Sequence, residues 1–243
     1  LGTLLYSPRL LNNWPIPPRV WCFAIPSALL EIVYFLMLTR AYALHDFSLI
    51  YPISRGCAPA LLALWAVLFL QERLRVLGVI GIALVLTGVL LIGTGGLRRI
   101  NVKGEGIVAA LALSVCISSY SILDAAAVRL MPAAPYTVLI IGLTSLFFTP
   151  IILRKHGKHA LQAEWRKHWR AILVVAILHM LAYLLVLQVY ATGRVSYAGA
   201  LREISVVFAA LAGWLWQGEL FGKVRTFGAV LIFIGILALA FAK

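Results

Sequence analysis

Residues 51–92 read YPISRGCAPALLALWAVLFLQERLRVLGVIGIALVLTGVLLI. Two apolar runs flank one short turn, QERLR at 71–75, which carries three charges. Each run approaches the ~20 residues that a helix needs to cross a bilayer. No water is available in the hydrocarbon to satisfy an open backbone, so a run of this kind has helix as its state. The stretch therefore predicts a transmembrane helical hairpin.

The rest of the chain repeats that pattern. Of its 243 residues 63% are hydrophobic and 12% are charged. A soluble domain of this size needs more polar surface than such a composition supplies. Eight apolar runs can be marked, at 19–43, 48–70, 76–96, 105–128, 134–153, 170–191, 196–217 and 224–242. The fold class read from them is all-α, a polytopic transmembrane bundle with short connections and antiparallel sequential neighbours. The net charge of +13 comes from Lys and Arg placed largely in those connections. It reads as a topology signal and as contact with anionic membrane lipids, with no nucleic acid implied. Cys22, Cys57 and Cys116 have neither metal-site nor disulfide spacing and read as small packing residues.

Residues 1–18 read as the end of an earlier helix plus a Pro-rich loop. The longest connection, 154–169, holds Arg154, Lys155, Lys158, Arg166 and Lys167, with Arg170 just beyond. Leu161, Trp165 and Trp169 recur every fourth residue within it, which on a helix makes one apolar stripe among cations. That is the pattern of a segment lying in the membrane interface. A solvated basic loop with Trp anchors is the alternative.

An internal repeat organises the spans. Residues 28–43, ALLEIVYFLMLTRAYA, align with 176–191, AILHMLAYLLVLQVYA, matching Ala28 to Ala176, Tyr42 to Tyr190 and Ala43 to Ala191. After a one-residue gap Arg55 meets Arg202, Glu72 meets Glu219, Gly81 meets Gly228 and Gly88 meets Gly235. The copies lie five spans apart, an odd number, so they cross the membrane in opposite directions. Two inverted structural repeats with a midplane site are a secondary-transporter design. The repeat also predicts two further spans ahead of residue 19, so that eight spans here belong to a ten-span protein. The domain reading is then 1–18 as helix end and loop, 19–96 as a first, incomplete repeat of three helices, 97–104 as a connecting loop and 105–243 as a second repeat of five.

The segment from Tyr51 onward, and its second copy VSYAGALREISVVFAALAGWLWQGELFGKVRTFGAVLIFIGILALA, resemble the EamA-type repeat of the drug/metabolite transporter superfamily. The shared features are a polar helix start, an apolar span ending in a Glu-containing turn, and a glycine-spaced helix. The resemblance covers about 19 to 243. It implies ten helices in two inverted halves, outward movement of small organic metabolites, a cytoplasmic C-terminus, and a multi-pass place in a bacterial inner membrane. The distribution of Lys and Arg points the other way: eleven lie on the side of 98–103, 154–170 and 218–225, against seven opposite. The positive-inside rule makes the eleven-charge side cytoplasmic.

Ionisable groups inside spans cost about 2.5–3.5 kcal/mol on the insertion scale and are functional candidates. Glu31 shares a helix face with Ser27 and Tyr34, and His179 takes its place in the second copy, with Tyr183 one turn on. Arg55 and Arg202 are the symmetric pair, Glu203 follows directly, and Tyr120 and Asp124 are spaced i,i+4. The expected central cavity is thus lined by Arg55, Arg202, Glu31, Asp124, Tyr120, Tyr34, Tyr183 and Glu203. Guanidinium forks suit a carboxylate or phosphate, while Glu31 and Asp124 suit an amine. Glu31 and His179 are the proton-coupling candidates. The structural alternative is internal ion pairing, Glu31 with Arg55 and Asp124 or Glu203 with Arg202. Glu72 and Glu219, at helix ends, read as turn groups.

The expected function is secondary transport of a small polar or zwitterionic organic metabolite, amino-acid-like or an organic anion, with proton-coupled export in view. A non-transporting subunit of a larger membrane complex is the alternative, and a homodimer or complex partner stays open. The sequence carries no phosphate-binding loop, metal cluster or nucleophile elbow, so no enzyme activity, cofactor or metal is expected.

Overall fold

The computed structural model describes residues 15–45, 47–94, 104–205, 208 and 223–242. Among them every regular element is a helix. These are α1 (Pro18–Leu44), α2 (Phe47–Leu70), α3 (Val76–Thr94), α4 (Gly104–Ala127), α5 (Ala133–Thr192), α6 (Val195–Arg202) and α7 (Lys223–Phe241). Among the described residues four helical stretches are long and apolar enough to cross a membrane, and two shorter apolar ones lie at Val76–Leu91 and Thr226–Leu239. The reading of 1–14 as a helix end and loop, and half of the span expected at 196–217, lie outside the described residues. Two compact units result, one of residues 1–33 and 123–192, the other of 34–122 and 193–243.

The first unit is dominated by α5. Sixty helical residues laid straight would reach about 90 Å, roughly three bilayer cores. Instead the helix breaks at Gly157 (φ 77°) and His168 (φ −125°). Two pieces, 133–156 and 169–192, remain on either side, each roughly 36 Å long by helical rise. The expected spans 134–153 and 170–191 fall inside them. The basic connection between them is helical, which decides between the two readings of its conformation. Leu161, Trp165 and Trp169 are exposed on and beside it, and Arg170 lies over the Trp169 ring at 5.3 Å.

In the same unit, α1 buries Val20, Ala24, Ser27, Ala28, Glu31 and Ile32, one stripe at helical spacing. Cys22 is off that stripe and exposed, which corrects the packing role expected for it. Cys116 is buried, as expected. The final piece of α5 buries Met180, Leu184, Leu187 and Tyr190 and leaves Val174, Val175, Ile177, Leu178, Leu181 and Leu185 open. Val175 is 65% exposed. Such a continuous apolar face suits lipid and would be an aggregation site in water.

The second unit is held by α3 against α7. A methyl on Gly88 would lie 2.5 Å from the Gly228 carbonyl oxygen, and one on Gly235 2.8 Å from that of Gly81. The backbones touch at these two levels, with Val85, Val89 and Ile232 fully buried around them. Lipid tails are as apolar as Leu, so helices associate through this kind of close packing. The turn after α2 reverses at Gln71 (φ 55°), and Glu72 N–H closes onto the Ala66 carbonyl at 3.1 Å. That places the Glu72 carboxylate at the start of α6, where it accepts from Val195 N–H (2.7 Å), Ser196 N–H (3.3 Å) and Ser196 Oγ–H (2.6 Å). Arg194 at the N-cap position makes no side-chain cap bond, so Glu72 supplies it from the α2–α3 turn. Elsewhere in the unit, Trp65 Nε1–H donates to Ser118 Oγ at 3.1 Å.

Gly88→Ala should cost about 1–3 kcal/mol, because the carbonyl it meets cannot rotate away. Gly142→Ala, with nothing within 4 Å of its methyl, should be neutral. Thermal unfolding of both variants in detergent checks this. A Gly88→Ala protein as stable as wild type would remove the close seam from the account.

Candidate functional site

Three helices of the first unit bring two buried carboxyl groups and four hydroxyl groups together. Glu31 enters from α1 and Asp124 from the end of α4. Asp124 Oδ1 accepts from Ser27 Oγ–H at 2.6 Å and from Tyr136 O–H at 2.7 Å. Glu31 Oε2 accepts from Thr144 Oγ1–H at 2.7 Å. The Tyr183 hydroxyl oxygen is 2.8 Å from Glu31 Oε1 and 2.5 Å from Asp124 Oδ2, so it bridges the two. Ser27 and Tyr136 are fully buried, and Asp124 is 1% exposed.

The local sequence explains the convergence. Ser27 and Glu31 are one turn apart on the buried stripe of α1. Tyr136 and Thr144 sit on the buried face of the first piece of α5, Tyr183 on the final piece. Each carboxyl group takes its bonds from hydroxyl groups, the neutral donors an apolar helix can carry at low cost. His179 lies beside this group, its ring centroid 6.1 Å from that of Tyr183, on an exposed stretch of α5. The sequence singled out Glu31, Asp124, Tyr183 and Ser27. It missed Tyr136 and Thr144, and their signal was weak: each is a single polar atom inside an apolar run.

The remaining candidates belong to the second unit. Glu203 directly follows α6 and is fully buried. Arg202 Nε lies 3.9 Å from its Oε1, and among the described residues neither Glu203 oxygen has a hydrogen bond. Arg55, on α2, acts electrostatically on the same carboxyl group and lies over the Tyr51 ring at 5.9 Å. Both arginines matched by the repeat thus lie within electrostatic reach of one carboxyl group, and Arg202 is in loose contact with it. Tyr34 and Tyr120 also pair, with ring centroids 6.0 Å apart. Of the expected ion pairs, Arg202 with Glu203 is seen as a loose contact.

Tyr136→Phe deletes one donor to the buried Asp124 and should cost about 1–3 kcal/mol. Thr149→Val, whose hydroxyl bonds an exposed carbonyl of its own helix, should be neutral. Unfolding midpoints of the two purified variants test the difference. Equal midpoints would mean that the buried bond contributes nothing.

The EamA-like transporter family model matches residues 2–94 and again 104–241. A solved crystal structure, described only as "Crystal structure of protein", is similar over 100% of this chain and 85% of its own, with TM-score 0.77 and 19% identity. At that identity the likeness concerns the fold. No curated protein matches the chain. With two family matches spanning almost its whole length and helices apolar enough for the bilayer, the chain belongs to the EamA-like transporter family, integral membrane transporters of the drug/metabolite type.

Proposed function

We propose that the protein is a secondary transporter that moves a small polar or zwitterionic metabolite by alternating access. The observation that carries this reading is the buried Glu203, whose carboxyl group lies 3.9 Å from Arg202 and within electrostatic reach of Arg55. A carboxyl group without hydrogen bonds among the described residues, beside two guanidinium groups, matches the two ends of an amino-acid-like zwitterion. The substrate ammonium would complete the bonds of Glu203, and the substrate carboxylate would take a guanidinium fork.

Inverted repeats supply the moving parts in this proposal. The glycine contacts support it, because they are crosswise: Gly81 meets Gly235 and Gly88 meets Gly228, whereas the sequence repeat equates Gly81 with Gly228 and Gly88 with Gly235. Exchanging the copies maps one contact onto the other, as a two-fold relation requires. Counting α5 as two, the described helices supply seven spans, and the run at 196–217 read from the sequence supplies the eighth, with the helical piece after Gly157 lying along the lipid headgroups. Its exposed Leu161 and Trp165, among Lys158, Arg166 and Lys167, favour that placement. The driving ion in this reading is the proton, with Glu31 and His179 as the groups that the sequence singles out.

The test is uptake into proteoliposomes of a radiolabelled panel of amino acids and organic anions. Arg55→Ala and Arg202→Ala should each lower uptake of the accepted solute by roughly tenfold or more, the loss of one charge-assisted bond. Both variants must first elute as monodisperse, folded protein. Wild-type kinetics in both would move the arginines to a structural role, and no uptake of any panel member would overturn the transport reading.

A further inference from the structure

Five short contacts join the carboxyl groups of Glu31 and Asp124 to four hydroxyl groups. Each contact needs one hydrogen between its two oxygens. Ser27, Tyr136, Thr144 and Tyr183 bring one hydrogen each, which makes four. With both carboxyl groups ionised, the Tyr183 oxygen would face one carboxylate through its hydrogen and the other through lone pairs alone. At 2.5–2.8 Å, two oxygens without a hydrogen between them repel. The contacts close when one carboxyl group carries the fifth hydrogen.

We propose that Glu31 and Asp124 form a proton-binding site that holds a single shared proton, passed between them through the Tyr183 hydroxyl. In one arrangement Asp124 Oδ2–H donates to the Tyr183 oxygen, and Tyr183 O–H donates to Glu31 Oε1. In the other, Glu31 Oε1–H donates to Tyr183, which donates to Asp124 Oδ2. The exchange breaks one carboxyl O–H and the phenol O–H and forms a new phenol O–H and a new carboxyl O–H. Total charge and atom count are unchanged, and the pair keeps one negative charge throughout. Asp124 accepts from three hydroxyl groups in the second arrangement, Ser27, Tyr136 and Tyr183, which favours it as the anion.

The groups facing the pair come from three helices. They are Ser27 on α1, the two carboxyl groups themselves on α1 and α4, and Tyr136, Thr144 and Tyr183 on α5. A further titratable group, His179, lies alongside, its ring tilted against that of Tyr183 with centroids 6.1 Å apart. The proton count stands on the hydrogen-bond geometry, while the role of this proton as driving ion rests on the transport reading.

Infrared difference spectroscopy of the full chain in liposomes at neutral pH tests the site. The carbonyl stretch of a neutral carboxyl group should be present in wild type and lost in both Glu31→Gln and Asp124→Asn. Either amide supplies the fifth hydrogen, so the remaining carboxyl group ionises. Glu203, unchanged in both variants, cancels in the difference. Loss in one variant alone would show an ordinary protonated acid and overturn the sharing; retention in both, or absence from wild type, would overturn the site. If a variant fails to fold, Glu203→Gln protein carrying ¹³C-labelled aspartate, with the other deeply buried carboxyl group removed, decides instead. Neutral-carboxyl intensity at both the labelled and unlabelled positions is the expected result, and intensity at one position or neither contradicts it. Failure of transport with the band present, or transport without the band, separates this proposal from the function it serves.

Discussion

A carboxyl group inside a membrane has no water to turn to. Every hydrogen bond that Glu31 and Asp124 make must come from the protein, and a missing one costs the desolvation penalty of the group. This constraint links three helices of the first unit. Ser27 on α1 reaches Asp124 on α4, Tyr136 on α5 reaches the same oxygen, and Thr144 and Tyr183 on α5 reach Glu31. The break of α5 at Gly157 and His168 serves the same end, because Thr144 and Tyr183 lie on different pieces and must both arrive. Moving either piece would uncover a buried oxygen.

The second unit meets the same low-dielectric surroundings by other means. Its α3–α7 seam has no side chain at the closest points, and tight backbone contact replaces the hydrophobic drive that lipid does not provide. Its charges are treated differently too. Glu72 spends its carboxylate on two backbone N–H groups and a serine hydroxyl at the start of α6, a structural use. Glu203 is buried without such donors among the described residues, beside Arg202. The two carboxyl groups of this unit thus differ: Glu72 is saturated by donors, and Glu203 lacks them among the described residues.

The helices were legible because an apolar run of bilayer length has one backbone solution. Runs read at 105–128 and 224–242 appear as Gly104–Ala127 and Lys223–Phe241. The structural role of Glu72 was legible from its position in a turn. The course of residues 154–169 was half legible: four-residue spacing of Leu161, Trp165 and Trp169 marked a helix, but its continuity with both neighbours depends on backbone angles at Gly157 and His168. Partners of the carboxyl groups were the least legible. Charge arithmetic suggests arginine for Glu31, whereas the fold delivers hydroxyls from residues 113 and 152 positions away. Spacing rules see along one helix and not across three. Tyr136 and Thr144, lone polar atoms in apolar surroundings, look like packing until the helices are placed.

The central claim is that a protonated carboxyl pair, and not an ion pair, is what this transporter carries in its first unit. The most direct measurement is the internal pH of proteoliposomes, read by a trapped dye while an accepted amino acid or organic anion is added outside. The account predicts that wild-type protein moves protons with the solute, and that Glu31→Gln and Asp124→Asn move solute down its gradient with the proton signal lost. Proton movement of wild-type size in both variants would contradict it.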